Sequence, residues 1–439
     1  MATDQAERRK GVEAACVTPA GFADQAGENP RRRALQTLGA AVCGAVLPLS
    51  GPVQGAAEAA AERTSGVVLA ATWQDGNRYF VGLLAPAAGR LEPLCRHPVP
   101  TRAHGMAVEA GGTVLVAARR PGDWLIRFDP RSGEVRNWFW SDGEHSFNGH
   151  VVRSADGRRL FTTETSIETG EGSVAVRDAA SLAVLARWPS AGRDPHELVL
   201  GPDGGLWVAN GGLETRQETG RMKHHIDQMD SSLVRLDAGS GRVTGQWRLA
   251  DRRLGLRHIA VAGDGTLAIA LQAEHDDPDA REAAPVLALW DHRRGLRAVD
   301  LPPQTRLAGY GGSVAASADQ VAVGCPRAGR VARWHLSGGV GRWQAPLELP
   351  EACATAAGWH GGAGWAVHAF EDSGGGGGRG SGSGRGSVSG KGPADGAGGG
   401  SNHLGQVVER WQVPDALRLD NHWATVDRAA RSGALSPGA

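Results

Sequence analysis

The chain has 439 residues, with 47 basic and 47 acidic side chains and a formal net charge of zero. That balance excludes a broad electrostatic footprint for nucleic acid or an anionic membrane surface. Five cysteines in this length exclude the dense disulfide framework of small secreted domains.

The first element in chain order is an export signal. Pro30-Arg31-Arg32-Arg33-Ala34-Leu35-Gln36 opens an apolar stretch from Ala34 to Leu47, followed by the Ala-rich Gly55–Ala61. A charged segment, a short apolar run and a zone of small residues make a secretory signal over 1–61, and the paired arginines resemble the twin-arginine type. The apolar run is shorter than the ~18–20 residues a membrane span needs, so the mature protein is expected in the periplasm without a span.

From 64 to 429 the sequence repeats. AHGMAV from Ala103, GHVVRS from Gly149, PHELVL from Pro195, RHIAVA from Arg257 and NHWATV from Asn421 each place a histidine at the head of a short apolar strand. His104, His150 and His196 are 46 residues apart. Each unit continues through a Gly-containing turn, with Asp-Gly at Asp156, Asp203 and Asp264, into a second strand. A hairpin built around an Asp and a Gly or Ser turn then completes four strands, as in LIRFDPRSGEVRNWFW from Leu125. Repeats of ~40–50 residues with four strands each predict an all-β propeller. Strand starts near residues 104, 150, 196, 258, 312, 356 and 422 predict seven blades. The last start lacks room for three more strands, so the C-terminal strand is expected to join the N-terminal blade and close the ring. The Gly/Ser tract at 373–401 is expected to be a disordered insertion in the sixth blade.

In this topology the residues entering the first strand and the loop between the second and third strands share one face. The first set carries His104, His150, His196, His258 and His422, with Glu197 beside His196. The second set carries Glu164, Asn210, Glu214, Lys223, Glu274 and His275. Of these, His104, His150, His196, His258, Glu274, His275 and His422 are the expected metal ligands. Glu164, Glu197, Asn210, Glu214 and Lys223 are the expected contacts to a bound ligand. Imidazole with carboxylate suits a borderline metal such as iron, zinc or copper. The same groups could bind an anion or do acid–base chemistry near neutral pH, or the histidines could simply bond neighbouring blades. No HExxH pair, GxSxG elbow or CxxCH site selects among these.

The stretches GHVVRSADGRRLFTTE, GRDPHELVLGPDGGLWVANGGLETRQETGRMK, LGLRHIAVAGDGTLAIALQ, YGGSVA and DNHWA resemble an exported propeller family, domain of unknown function 1513. The resemblance runs through nearly all of Gly66 to Val426. It implies a periplasmic seven-bladed propeller encoded near imelysin-type iron-uptake proteins, which would be its partners. The leading expectation is a non-enzymatic protein that binds a metal ion or metal complex, iron-related, at the His/Glu-lined mouth. The alternatives are a lactonase-like hydrolase or an oxidoreductase using the same face, and a protein-interaction scaffold.

Overall fold

A computed structural model describes residues 68–87, 90–215, 223–348, 354–360, 364–370, 407–412 and 417–426. The expected signal at 1–61 and the Gly/Ser tract at 373–401 lie outside these residues. The described chain is an all-β propeller.

Five blades are separate four-stranded antiparallel sheets. Their innermost strands are Ala103–Val108, His145–Arg153, Pro195–Leu200, Leu254–Val261 and Ser313–Ala316, defining blades 1 to 5. The radial order of burial explains why the sequence alternates in some strands and not in others. The second strand of blade 1, Val114–Ala118, is buried throughout, whereas its outermost strand, Glu134–Trp140, alternates between exposed and half-buried positions. Between blades, tryptophans fill the gap. Trp207 of blade 3 lies 4.2 Å from Trp290 of blade 4, ring centre to ring centre, and Trp247 stacks on Trp207 at 5.2 Å.

The turns have the chemistry that the sequence predicts. Asp156, Asp203 and Asp264 each accept a backbone N–H two residues on, and the intervening Gly157, Gly204 and Gly265 adopt positive φ. The outer hairpins are closed the same way by Asp178, Asp237 and Asp291, each accepting two successive N–H groups.

The expectation of seven blades is corrected: the described residues form six. The sixth sheet has seven strands, in the order Ala354–His360, Gly364–Phe370, Val407–Gln412, Arg90–Val99, Arg78–Ala87, Leu69–Asp75 and Leu417–Thr425. The first three are the strands from which a separate blade was expected. Val407–Gln412 runs parallel to Gly364–Phe370 and pairs through Gln412 with Arg90, so these strands merge with the N-terminal ones. The C-terminal strand Leu417–Thr425 pairs antiparallel with Leu69–Asp75, bringing both ends of the described chain into one sheet.

Candidate metal centre

Each of the five repeat histidines lies inside an innermost strand, at a point where that strand's pairing breaks. In blade 1 the register jumps from Ala103 to Met106, leaving His104 and Gly105 opposite a single residue. It jumps from Phe147 to Val151 around His150, from Pro195 to Leu198 around His196, and from Leu256 to Ile259 around His258. In the closing strand the break falls between Leu419 and Trp423 and contains His422. A bulge frees a residue from the alternation of the pleat and re-aims its side chain. Blade 5 is the internal control: its innermost strand has no histidine, and its register from Ser313 to Ala316 is unbroken.

The bulges bring the five imidazoles together. Apart from the His196–His422 pair, every two ring centres are 4.2 to 5.9 Å apart. Two glycines make this approach feasible. Gly149 sits at φ +101°, and a Cβ there would lie 2.7 Å from Cδ2 of His104. A Cβ on Gly105 would meet the Gly149 carbonyl oxygen at 2.4 Å and Nδ1 of His150 at 2.8 Å.

His104, His150, His196 and His258 are buried, and His422 is half-buried by its surface exposure. Loss of hydration is the main force on all five, and it favours the neutral ring. It pushes His104, His150 and His196 well below the ordinary imidazole range, with His422 acting against His104 and His258 against His196. His258 and His422 fall to about 3, helped by Arg257 and by His258 respectively. Five neutral imidazoles therefore face one another at neutral pH. Each has a buried nitrogen without a hydrogen-bond partner: Nε2 of His104, His150 and His422, and Nδ1 of His196 and His258.

Two carboxylates stand against the rings. Asp420 Oδ1 lies 3.3 Å from Nδ1 of His104, and Oδ2 accepts from Arg102 Nε at 2.7 Å. Burial opposes the charge on Asp420, but His104, Arg102 and Arg119 outweigh it and hold the carboxyl well below its usual range. Glu197 reaches between two rings, with Oε2 3.3 Å from His258 Nδ1 and Oε1 3.6 Å from His150 Nδ1. The 3.3 Å approach is an ion-pair distance without hydrogen-bond alignment, which is why His258 Nδ1 remains unpartnered. Glu197 Oε2 is itself fixed by the Ile259 N–H at 2.8 Å. Buried Asp194, two residues before His196, binds both Arg120 and Arg257, tying three blades together.

The other expected site residues are placed elsewhere. Glu164 is buried in an ion pair with Arg177 and a longer one to Arg187. Asn210 donates to the Ser190 carbonyl at 3.0 Å and to Ser232 Oγ at 3.3 Å. Glu214 and Lys223 lie in a two-stranded ribbon, Glu214–Thr215 with Lys223–His224, within the long loop of blade 3. Glu274 is half-buried and acts electrostatically on Arg257, while His275 Nε2 lies 2.9 Å from Asp251 Oδ2. Among the described residues, the ligand-like triads that the five histidines form include neither Glu274 nor His275.

Sequence reasoning missed Asp420, Asp194 and Arg257 as supports. A signal was present: Asp194 and Asp420 each stand two residues before a histidine, in Asp-Pro-His and Asp-Asn-His.

Three solved propeller-containing structures share a low level of similarity with the chain. A Kuenenia stuttgartiensis hydrazine synthase structure is 16% identical over 60% of this chain and 74% of that one, with a TM-score of 0.46. A nidogen/laminin complex is 12% identical over 64% and 93%, with a TM-score of 0.41. A PQQ-bound aldose sugar dehydrogenase from Streptomyces coelicolor is 15% identical over 60% and 87%, with a TM-score of 0.38. No curated protein matches the chain. Residues 97–426, well over half of the chain, match the family described as protein of unknown function DUF1513, and the chain belongs to that family.

Proposed function

We propose that this protein binds a transition-metal ion through His104, His150, His196, His258 and His422. One observation carries the reading: five buried imidazole nitrogens, one per ring, have no hydrogen-bond partner. Buried polar atoms are nearly always paired, because each one left unpaired costs about 1–3 kcal/mol. On rings that burial keeps neutral they supply lone pairs suited to a cation, and two triads, His104–His196–His258 and His104–His150–His422, bring their ligand atoms within 4.8 Å of one another.

The donor set narrows the choice of ion. Neutral imidazole suits ferrous iron, zinc and copper, while ferric iron prefers charged oxygen ligands. A divalent charge at the centre would be balanced by Asp420, behind His104, and by Glu197, which stands on the donor side facing the unpartnered Nδ1 of His258. A carboxylate–histidine pair like Asp420–His104 orients a ligating ring and raises its basicity. The proposed setting is the periplasm, after twin-arginine export, in iron handling alongside imelysin-type proteins. Export of a folded chain would allow the centre to be filled beforehand.

The test is metal analysis of purified protein, followed by titration of the metal-free form with ferrous iron, zinc and copper. Stoichiometric binding that is lost in His150→Ala and His196→Ala is expected. Absence of binding by all three metals would refute the proposal.

A further inference from the structure

The residue after the repeat histidine is Gly105, Val151, Ile259 or Trp423 in four of the repeats, and Glu197 in blade 3. The repeat itself therefore does not call for a carboxylate there. In a regular strand Glu197 would point away from His196, because successive side chains alternate between faces. The break between Pro195 and Leu198 contains both residues and lets both approach His258. The His196 ring centre is 4.6 Å from that of His258, and Glu197 Oε2 is 3.3 Å from His258 Nδ1.

Glu197 also lacks the arginine that the buried acids have. Asp420 pairs with Arg102, Asp194 with Arg257, Glu164 with Arg177 and Glu109 with Arg127. Among the described residues, the ion-pair contacts of Glu197 are His258 and His150, whose rings burial keeps neutral. Two donors 3.3 Å apart with no hydrogen bond aligned between them suit a shared cation. Metal bonds of about 2.1 Å at angles of about 90–110° separate neighbouring donors by about 3.0–3.4 Å. One ligand atom from each of His150, Glu197 and His258 lies within 4.8 Å of the other two.

Resting on the metal-binding reading above, we infer that His150, Glu197 and His258 form an entry seat for a divalent transition-metal ion, which then passes to the all-imidazole triad His104–His196–His258. Exposure sets the direction. The Glu197 side chain is 21% exposed, against 5% for His150 and 4% for His258. His422 is half-buried as well, but its unpartnered Nε2 is buried. A carboxylate at this edge offsets the cost of taking a charged ion out of water. His258 belongs to both triads and is the pivot. It keeps hold of the ion while the bonds to Glu197 and His150 give way to bonds from His104 and His196. No proton or electron moves, because neutral rings bind through a lone pair and the carboxylate leaves as the anion.

The experiment mixes metal-free full-length protein with Co(II) in 1 M salt, which screens long-range attraction, and follows the visible bands by stopped flow. Glu197→Gln keeps the shape of the side chain and an acceptor for the Ile259 N–H. Removing a direct ligand costs at least the ~10-fold that an outer-layer partner does, so loading should slow at least ~10-fold. The saturated spectrum should stay native, because the resident ion has left Glu197. Asp420→Asn should load at the native rate and lose affinity through faster release. Smaller slowing in Glu197→Gln, an altered saturated spectrum, or equal slowing in Asp420→Asn would overturn the entry seat and leave metal binding intact. Failure to bind Co(II), ferrous iron, zinc and copper would instead overturn the metal reading itself.

Discussion

Gly149→Ala tests the local design of the centre with a single added methyl group. Gly149 has φ +101°, where an L side chain is strained by ~1–3 kcal/mol. Its new Cβ would also sit 2.7 Å from Cδ2 of His104 and 3.1 Å from its Cβ, so the ring would have to move. Overpacking of this kind costs another ~1–3 kcal/mol. The expected total is about 2–6 kcal/mol in the metal-free protein. Gly170→Ala is the matched control. Gly170 also has a positive φ, +69°, but a Cβ there meets nothing within 4 Å. That variant should lose only ~1–2 kcal/mol, the ordinary cost of the left-handed conformation. Urea unfolding gives the stabilities, and titration of the metal-free proteins gives the affinities. Gly149→Ala should lose both stability and metal affinity, whereas Gly170→Ala should keep native affinity. Equal destabilisation of the two variants with unchanged metal binding would refute the proposed packing of His104 against Gly149.

Three further outcomes are expected. Asp420→Asn removes the charge behind His104 and should weaken metal binding ~10–100-fold in titration calorimetry; unchanged affinity would mean that Asp420 serves its arginines and not the ring. Asp194→Asn leaves buried Arg257 without its counter-charge and should cost about 3–5 kcal/mol in urea unfolding, and a loss below 1 kcal/mol would contradict the assigned pairing. Because the folded state holds the five histidines neutral, the unfolded chain binds more protons once the pH drops below about 6.5. Stability of the metal-free protein is then complete above that pH and falls on acidification towards pH 3, by about 1.4 kcal/mol per pH unit for each ring kept neutral. Unfolding midpoints that do not change between pH 7.5 and pH 5 would show that the rings are hydrated.

Much of the propeller was readable because its signals are local. The Asp-Gly turns, the outer-hairpin aspartates and the recurring histidine all lie within one repeat. The blade count was not readable, because it depends on Gln412 pairing with Arg90 across most of the chain. Seven strand starts do not reveal that two groups of strands share one sheet. Spacing also brought the five histidines to a common centre, yet the bulges that aim them leave no mark in an apolar pattern. The loop residues were hardest to place. Glu164 and His275 have local partners, Arg177 and Asp251, and such pairing depends on loop conformation rather than on the repeat. Asp194 and Asp420 gain their meaning only from their burial beside arginines, which the sequence pattern does not show.

X-ray absorption at the metal edge of the loaded protein tests the central claim most directly. The account predicts a nitrogen-dominated shell with at least three imidazoles at ~2.0–2.2 Å and their outer-shell scattering. An oxygen-dominated shell, or one with two imidazoles or fewer, would contradict it.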